Sequence, residues 1–152
     1  MASNLEALED WAAPLLQKLE PTERSKLARS LAQQLRRNQQ QRVQSQKNPD
    51  GSKYAARKPR KLRGKQGRVR RKVGMFQKIR KVAYLKAKGD ANAISVGFTG
   101  RIARIARVHQ HGLKDRPQPG APDTSYAKRE VLGLSSADHD LIRDALLAHL
   151  SL

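Results

Sequence analysis

Residues 75–98 read MFQKIRKVAYLKAK (75–88), GDA (89–91) and NAISVGF (92–98), and this stretch decides the fold class. Ile94, Val96 and Phe98 alternate with Ser95 and Gly97. Val82, Tyr84 and Lys86 alternate with Ala83, Leu85 and Ala87. A period of two carried by β-branched and aromatic residues is the pattern of a strand covered on one face. Gly89-Asp90-Ala91 supplies the turn between the runs. The stretch therefore predicts a β-hairpin, with a short helical turn over 73–80 ahead of its first strand.

Upstream the period changes to three and four. Leu5, Leu8, Trp11, Ala12, Leu15 and Leu16 predict a helix over 4–18, capped by Ser3 or Asn4 and carrying Glu6, Glu9 and Asp10 near its positive end. Pro21 sits at the first position of a second helix, with Glu23 in the first turn. Leu27, Ala28, Leu31, Ala32 and Leu35 form its stripe. Beyond Leu35 the residues RRNQQQRVQSQK offer only Val43, so this half reads as a polar helix, a partner-facing helix or frayed coil. Asn48-Pro49-Asp50-Gly51 ends it in a turn.

Downstream, Thr99-Gly100 breaks the hairpin. RIARIARVHQHG then predicts a helix ending at Gly112, with Ile102, Ile105 and Val108 on one face and Arg101, Arg104 and Arg107 on another. Residues 113–125, with three prolines, read as a loop, and Tyr126–Leu132 as a strand. Ser135 caps a last helix over 136–150, with Asp138 three residues on and Leu141, Ile142, Ala145, Leu146 and Leu150 as its buried stripe. The expectation is a single α+β domain over 1–152: N-terminal helices in 1–47, a basic arm or loop in 52–72, and hairpin, helix, strand and helix in 73–152. It has a small antiparallel sheet with packed helices.

The charge lies in one place. Of 32 Lys and Arg, sixteen fall in 51–89, where there is no Asp or Glu, and the formal net charge is +19. Within the arm stand Arg57, Lys58, Arg60, Lys61, Arg63, Lys65, Arg68, Arg70, Arg71 and Lys72. Such a segment faces a nucleic acid, an acidic protein or water, and a membrane surface fits least because no clear amphipathic face accompanies the cations. Aromatic residues are sparse in it, which disfavours stacking on single-stranded bases. The apolar fraction of 38% gives a small core of Leu, Ile, Val and Ala, and oligomerisation is expected to bury what one chain does not. The chain has no Cys, its first residues are acidic, and no apolar run reaches membrane-span length, so it reads as soluble and made inside the cell.

Catalytic chemistry finds little support. His109 and His111 are two apart, a spacing that points them to different faces of a helix. Asp138, Asp140 and Asp144 read as helix-end and surface charges rather than a nuclease metal cluster. Arg63-Gly64-Lys65-Gln66-Gly67 lacks the strand and the Lys-Ser/Thr ending of a phosphate loop. No cofactor is expected.

Three groups of residues together resemble the virion morphogenesis (tail completion) protein family of temperate contractile-tailed bacteriophages of the Peduovirus type. They are Pro49, Asp50 and Gly51 after Asn48 and before Tyr54; the run Arg107 to Gly112 containing His109; and Tyr126, Arg129 and Leu132-Gly133-Leu134-Ser135 before Asp138. The resemblance implies a structural, non-enzymatic protein, present in the host cytoplasm during assembly and in the tail or neck of the virion. It would finish the tail at its head-proximal end and prepare it to join the head. It also implies a tail-terminator-like or neck-protein-like subunit in a homo-oligomeric ring, commonly a hexamer, with tail tube, sheath or neck proteins as partners.

In such a ring the stripe Arg101, Arg104 and Arg107 would line a lumen or an inter-subunit contact, and the arm would reach a neighbour or the DNA passage. A dense cationic lining would retard passing DNA, so acidic protein partners are favoured over non-specific DNA contact. The alternative from another class is a protein whose arm coats nucleic acid without sequence preference.

Overall fold

Helix α2 (Pro21–Gln44) is the axis against which most of the protein packs in the computed structural model, which describes residues 4–57, 74–117 and 119–150. It is 24 residues long, or ~36 Å. It begins as the sequence predicts, with Pro21 in its first turn. Ala28, Leu31, Ala32 and Leu35 are buried, and the burial does not stop there: Gln39 and Val43 in the polar half are buried too. The stripe of α2 thus continues at three- and four-residue steps to its end, with polar residues in the line.

Helix α1 (Asn4–Leu16) precedes it and buries Leu8 and Ala12. The predicted helix 4–18 ends two residues early, in a turn closed by Lys18 N–H to the Leu15 carbonyl. Helix α4 (Ser136–Leu150) packs on both α1 and α2 and buries Leu146.

The hairpin is present. Strands β1 (Leu85–Gly89) and β2 (Ile94–Phe98) pair antiparallel, Leu85 opposite Phe98 and Gly89 opposite Ile94. The turn lies one residue later than the sequence suggests: Asp90 N–H donates to the Ala93 carbonyl, and the Asp90 carboxylate accepts from the N–H groups of Asn92 and Ala93. Those two bonds hold the Asp90 pKa below its ordinary value.

Gly89 has a different duty. A Cβ there would lie 2.5 Å from the Ala28 carbonyl carbon, so its absence lets the hairpin seat on the backbone of α2. The first strand starts at Leu85, not at Val82. Residues 75–84 form successive turns, one of them closed by Arg80 N–H to the Phe76 carbonyl, the helical turn expected over 73–80. Leu85 is fully buried between hairpin and α2, and Val82 is exposed.

Helix α3 (Arg101–His111) follows, and its C-cap Gly112 is left-handed at φ 64°. The predicted apolar line of Ile102, Ile105 and Val108 needs correction: Ala106 and Val108 are buried, Ile102 packs on the core, and Ile105 is exposed. Ile102 and Ala106, four residues apart, face the core cluster, and Val108 is buried outside that cluster. Residues 113–125 contain a two-residue ladder, β3 (Lys114–Asp115) with β4 (Thr124–Ser125).

The predicted strand Tyr126–Leu132 is not a strand. The N–H groups of Tyr126 and Arg129 bond to the Leu113 and His109 carbonyls, and from Glu130 onward side chains take the place of a neighbouring ladder. Val43, Ile79, Ala106 and Val131 form the core cluster, with Phe76, Phe98 and Ile102 against it. The architecture is α+β: four helices and two small antiparallel pairs among the described residues. No helix among them is long and apolar enough to cross a membrane.

Candidate functional site: the base of the basic segment

The backbone of residues 129–133 is bound almost entirely by side chains from elsewhere in the sequence. Gln110 at the end of α3 accepts from the N–H groups of Val131 and Leu132 with Oε1 and donates to the Leu132 carbonyl with Nε2. Asn48 Oδ1 accepts from Glu130 N–H at 2.9 Å, and Gln39 Oε1 accepts from Gly133 N–H. Arg42 donates to the carbonyls of Glu130 (2.8 Å), Val131 (3.1 Å) and Lys47 (2.9 Å), and to Gln39 Oε1. The Tyr54 hydroxyl donates to Glu130 O at 2.9 Å. Peptide groups must find partners when buried, and here fixed side chains supply what a second strand would.

This network holds both ends of the basic segment. On the incoming side, Arg129 is buried, and its guanidinium donates to the carbonyls of Ala55 (2.7 Å) and Ala56 (2.8 Å). On the outgoing side, Gln46 accepts from Met75 N–H and donates to the Met75 carbonyl, each at 2.8 Å. Arg57 Nη2 lies 3.5 Å from the Gly74 carbonyl, so the segment leaves and returns at one place. Burial, and second the Arg57 cation, lower the Arg129 pKa.

A chain of rings runs beside these anchors. Tyr54 meets Phe76 edge-on at 5.6 Å, Phe76 meets His109 at 4.7 Å, and His109 meets Tyr126 at 4.9 Å. Edge-to-face contacts of this kind fix ring orientation as well as burying area. His109 is neutral at physiological pH: burial, then Arg129, push its pKa down to about 4. Its buried Nδ1 has no hydrogen-bond partner among the described residues. Burial also raises the Tyr54 pKa.

The turn and cap motifs meet at the same hub. A Cβ on Gly133 would stand 2.4 Å from Pro49 Cγ, and one on Gly112 would stand 3.0 Å from the Lys128 nitrogen. Asp50 accepts from Ser52, whose hydroxyl and N–H hold the carboxyl below its usual range, and Gly51 is left-handed at φ 88°. Ser135 and Asp138 form a reciprocal capping box at α4, with Asp138 N–H to Ser135 Oγ at 3.1 Å and Ser135 N–H to Asp138 Oδ2 at 2.9 Å. Asn38 adds a bond to Asp138 Oδ1, tying α4 to α2. Leu132 and Leu134 are half-buried in this strap.

The residues singled out in the sequence are thus divided. The motif positions in 49–54, 109–112 and 126–138 are brought together. Of the arm, Arg57 stands at the base, whereas Lys58, Arg60, Lys61, Arg63, Lys65, Arg68, Arg70, Arg71 and Lys72 lie outside the described residues. Arg101, Arg104 and Arg107 are exposed on α3, and Arg104 pairs with Asp115.

Of the residues that do most to organise the hub, Arg42, Gln39 and Gln46 carry no sequence prediction, and Gln110 enters only as a member of the run Arg107 to Gly112. For the two on α2 the signal was register: 39, 42 and 43 continue the stripe of Leu31 and Leu35, whereas Gln46 lies past the helix end at φ 57°. Among the described residues no group of three His, Asp or Glu could hold a metal ion. Surface hollows of about 420 and 590 Å³ flank α2, and neither sets a His beside a carboxylate.

With this geometry established, the comparisons with known proteins give one answer. A profile of the phage virion morphogenesis family matches residues 3–151. Tail completion protein S of Escherichia phage P2 is 38% identical over 143 residues, which cover 93% of this chain and 94% of that protein. No solved structure is significantly similar.

Proposed function

We propose that this chain, which belongs to the phage virion morphogenesis family, is a structural protein that completes the phage tail at its head-proximal end and enables head–tail joining. The observation that carries the reading is the likeness to a tail completion protein along nearly the whole of both chains. The hub is compatible with it: the matched motifs are spent on backbone anchoring and capping, which is scaffold work. The protein acts without catalysis, as a ring of copies with a hexamer favoured. It works in the host cytoplasm during assembly and remains in the tail or neck of the virion. The anchored base presents the basic segment to an acidic protein surface, on a neighbouring subunit of the ring or on a protein of the tail tube, sheath or neck.

The test is assembly with and without the chain. Tails made in its absence are expected to be unfinished at one end by negative-stain microscopy and unable to join heads, and the purified chain is expected to restore joining. Normal tails and joined particles without it would overturn the reading.

One observation favours a second reading. Residues 58–73 hold nine Lys and Arg and no carboxylate, which suits non-specific contact with nucleic acid. Affinity for any duplex that falls steeply with salt, shown by a monomer, would put that reading first.

A further inference from the structure

The acidic residues of this basic protein are gathered as well. Eight of the 13 Asp and Glu lie in 4–23 and 136–150, and only two of the 32 Lys and Arg, Lys18 and Arg143, lie there with them. The fold joins these stretches: α1 packs on α4, and His149 Nε2 stands 3.7 Å from Glu23 Oε2 at the start of α2. Asp138 is turned inward to its cap, whereas Glu9, Asp10, Asp140 and Asp144 are exposed.

The same helices also carry exposed apolar residues. Leu5 is 43%, Trp11 38% and Leu147 45% exposed, on the two helices that pack together. Leu5 and Trp11 flank the buried centre of the α1 stripe, Leu8 and Ala12, so the stripe is wider than what α4 covers. One such residue would be ordinary; several, including the chain's one Trp, on one pair of packed helices mark a contact surface.

Charge and reach identify the occupant. Residues 58–73 carry nine cations with Leu62, Val69 and Val73 among them, a match for an acidic face with apolar residues. Their own chain reaches only its near end, where the start of α4 is tied to α2 through Asn38 and Asp138. The base of the segment is held at the C-terminal end of α2 by Gln46, and Glu20 and Glu23 lie at the other end of that helix, ~32 Å away. A 16-residue segment fixed at both ends extends no more than ~27 Å before it must return.

We infer that the face formed by α1, α4 and the start of α2 receives the basic segment 58–73 of a second copy of this chain. The contact is head-to-tail, joining one surface of a copy to a different surface of the next, the type that closes into a ring or runs on as a filament. The inference rests on the ring reading above and adds which surfaces meet.

Sedimentation velocity of the full chain over a range of concentrations, at low and high salt, tests it. The wild-type chain associates at low salt and less at high salt. Two variants separate the surfaces: E9K/D10K reverses the charge of α1's part of the acidic face, and R68Q/R70Q/R71Q/K72Q neutralises four of the segment's nine cations. Each, with far-UV circular dichroism unchanged, associates roughly tenfold more weakly alone. An equimolar mixture recovers a 1:1 complex through the one intact pair of surfaces.

Variants that associate like wild type, or a mixture that recovers nothing, would overturn the inference. So would a wild-type chain that is monomeric throughout. Trp11 emission that shifts with salt but not with concentration would place the segment on its own chain and overturn it too. Tail completion is scored separately. Association as described without tail completion removes the functional reading and leaves the contact; tail completion by an E9K/D10K chain that associates like wild type does the reverse.

Discussion

Arg129 donates from Nε to the Ala55 carbonyl across 74 positions of sequence, at 2.7 Å, and its Nη2 takes the next carbonyl, that of Ala56. One planar guanidinium thereby holds two successive peptide groups just before the basic segment. Its own backbone N–H is fixed to His109 O. The position of the segment's root is therefore set by the hub.

Arg129→Lys is expected to lose most of this, because an ammonium is a point donor and does not reproduce the fork. The loss should be about 1–3 kcal/mol of stability. Urea denaturation would measure it, and hydrogen exchange should show faster opening of residues 52–57 than of α2. Equal protection of 52–57 in variant and wild type would contradict the assignment.

Arg42 carries more bonds than Arg129 and lies in a stretch that composition alone would assign to a wet helix. Arg42→Met keeps the apolar stem but leaves the Val131 carbonyl without its donor and the Glu130 carbonyl with the Tyr54 hydroxyl alone. A loss of at least about 2 kcal/mol is expected. A surface substitution such as Arg37→Met, five residues earlier, should stay within about 0.5 kcal/mol.

The two glycines of the hairpin make opposite predictions. Gly89→Ala forces a methyl into the Ala28 backbone and should cost about 1–3 kcal/mol. Gly97→Ala meets nothing within 4 Å and should be neutral or slightly stabilising. Thermal melts of the two single variants decide this.

His109 makes stability depend on pH. Its folded pKa of about 4 lies below the roughly 6.5 of an unfolded chain. Between those values the unfolded chain binds the proton more readily, so its stabilising contribution is complete above about pH 6.5 and is lost as pH falls toward 4. The drop in Tm from about pH 7 to about pH 4.5 should be smaller in His109→Phe, which keeps the ring between Phe76 and Tyr126 but cannot titrate. An unchanged drop would show that His109 is not its source.

The hairpin, the start of α2, the Gly112 cap and the Ser135–Asp138 box were legible in the sequence because each depends on neighbours in the chain. The strap at 129–133 was not. Its apolar Val131 and Leu132 look like a strand, and what replaces the ladder comes from Gln39, Arg42, Asn48 and Gln110, which local periodicity does not connect to it. Ile105 was misplaced for a related reason: its apolar repeat does not say which side of α3 the core covers, and the core takes Ile102 and Ala106. The meeting of Pro49 with Gly133 brought separate motifs to one point, and only the fold shows that contact.

The central claim is that a folded scaffold presents the basic segment for tail completion. Deleting Lys58–Lys72 and joining the ends with a short Gly-Ser linker tests it most directly, since Arg57 and Gly74 already lie side by side. The shortened chain should melt within a few degrees of the full chain and fail to complete tails in the assembly assay. A shortened chain that completes tails normally would contradict the claim, and one that does not fold would show that the segment belongs to the core.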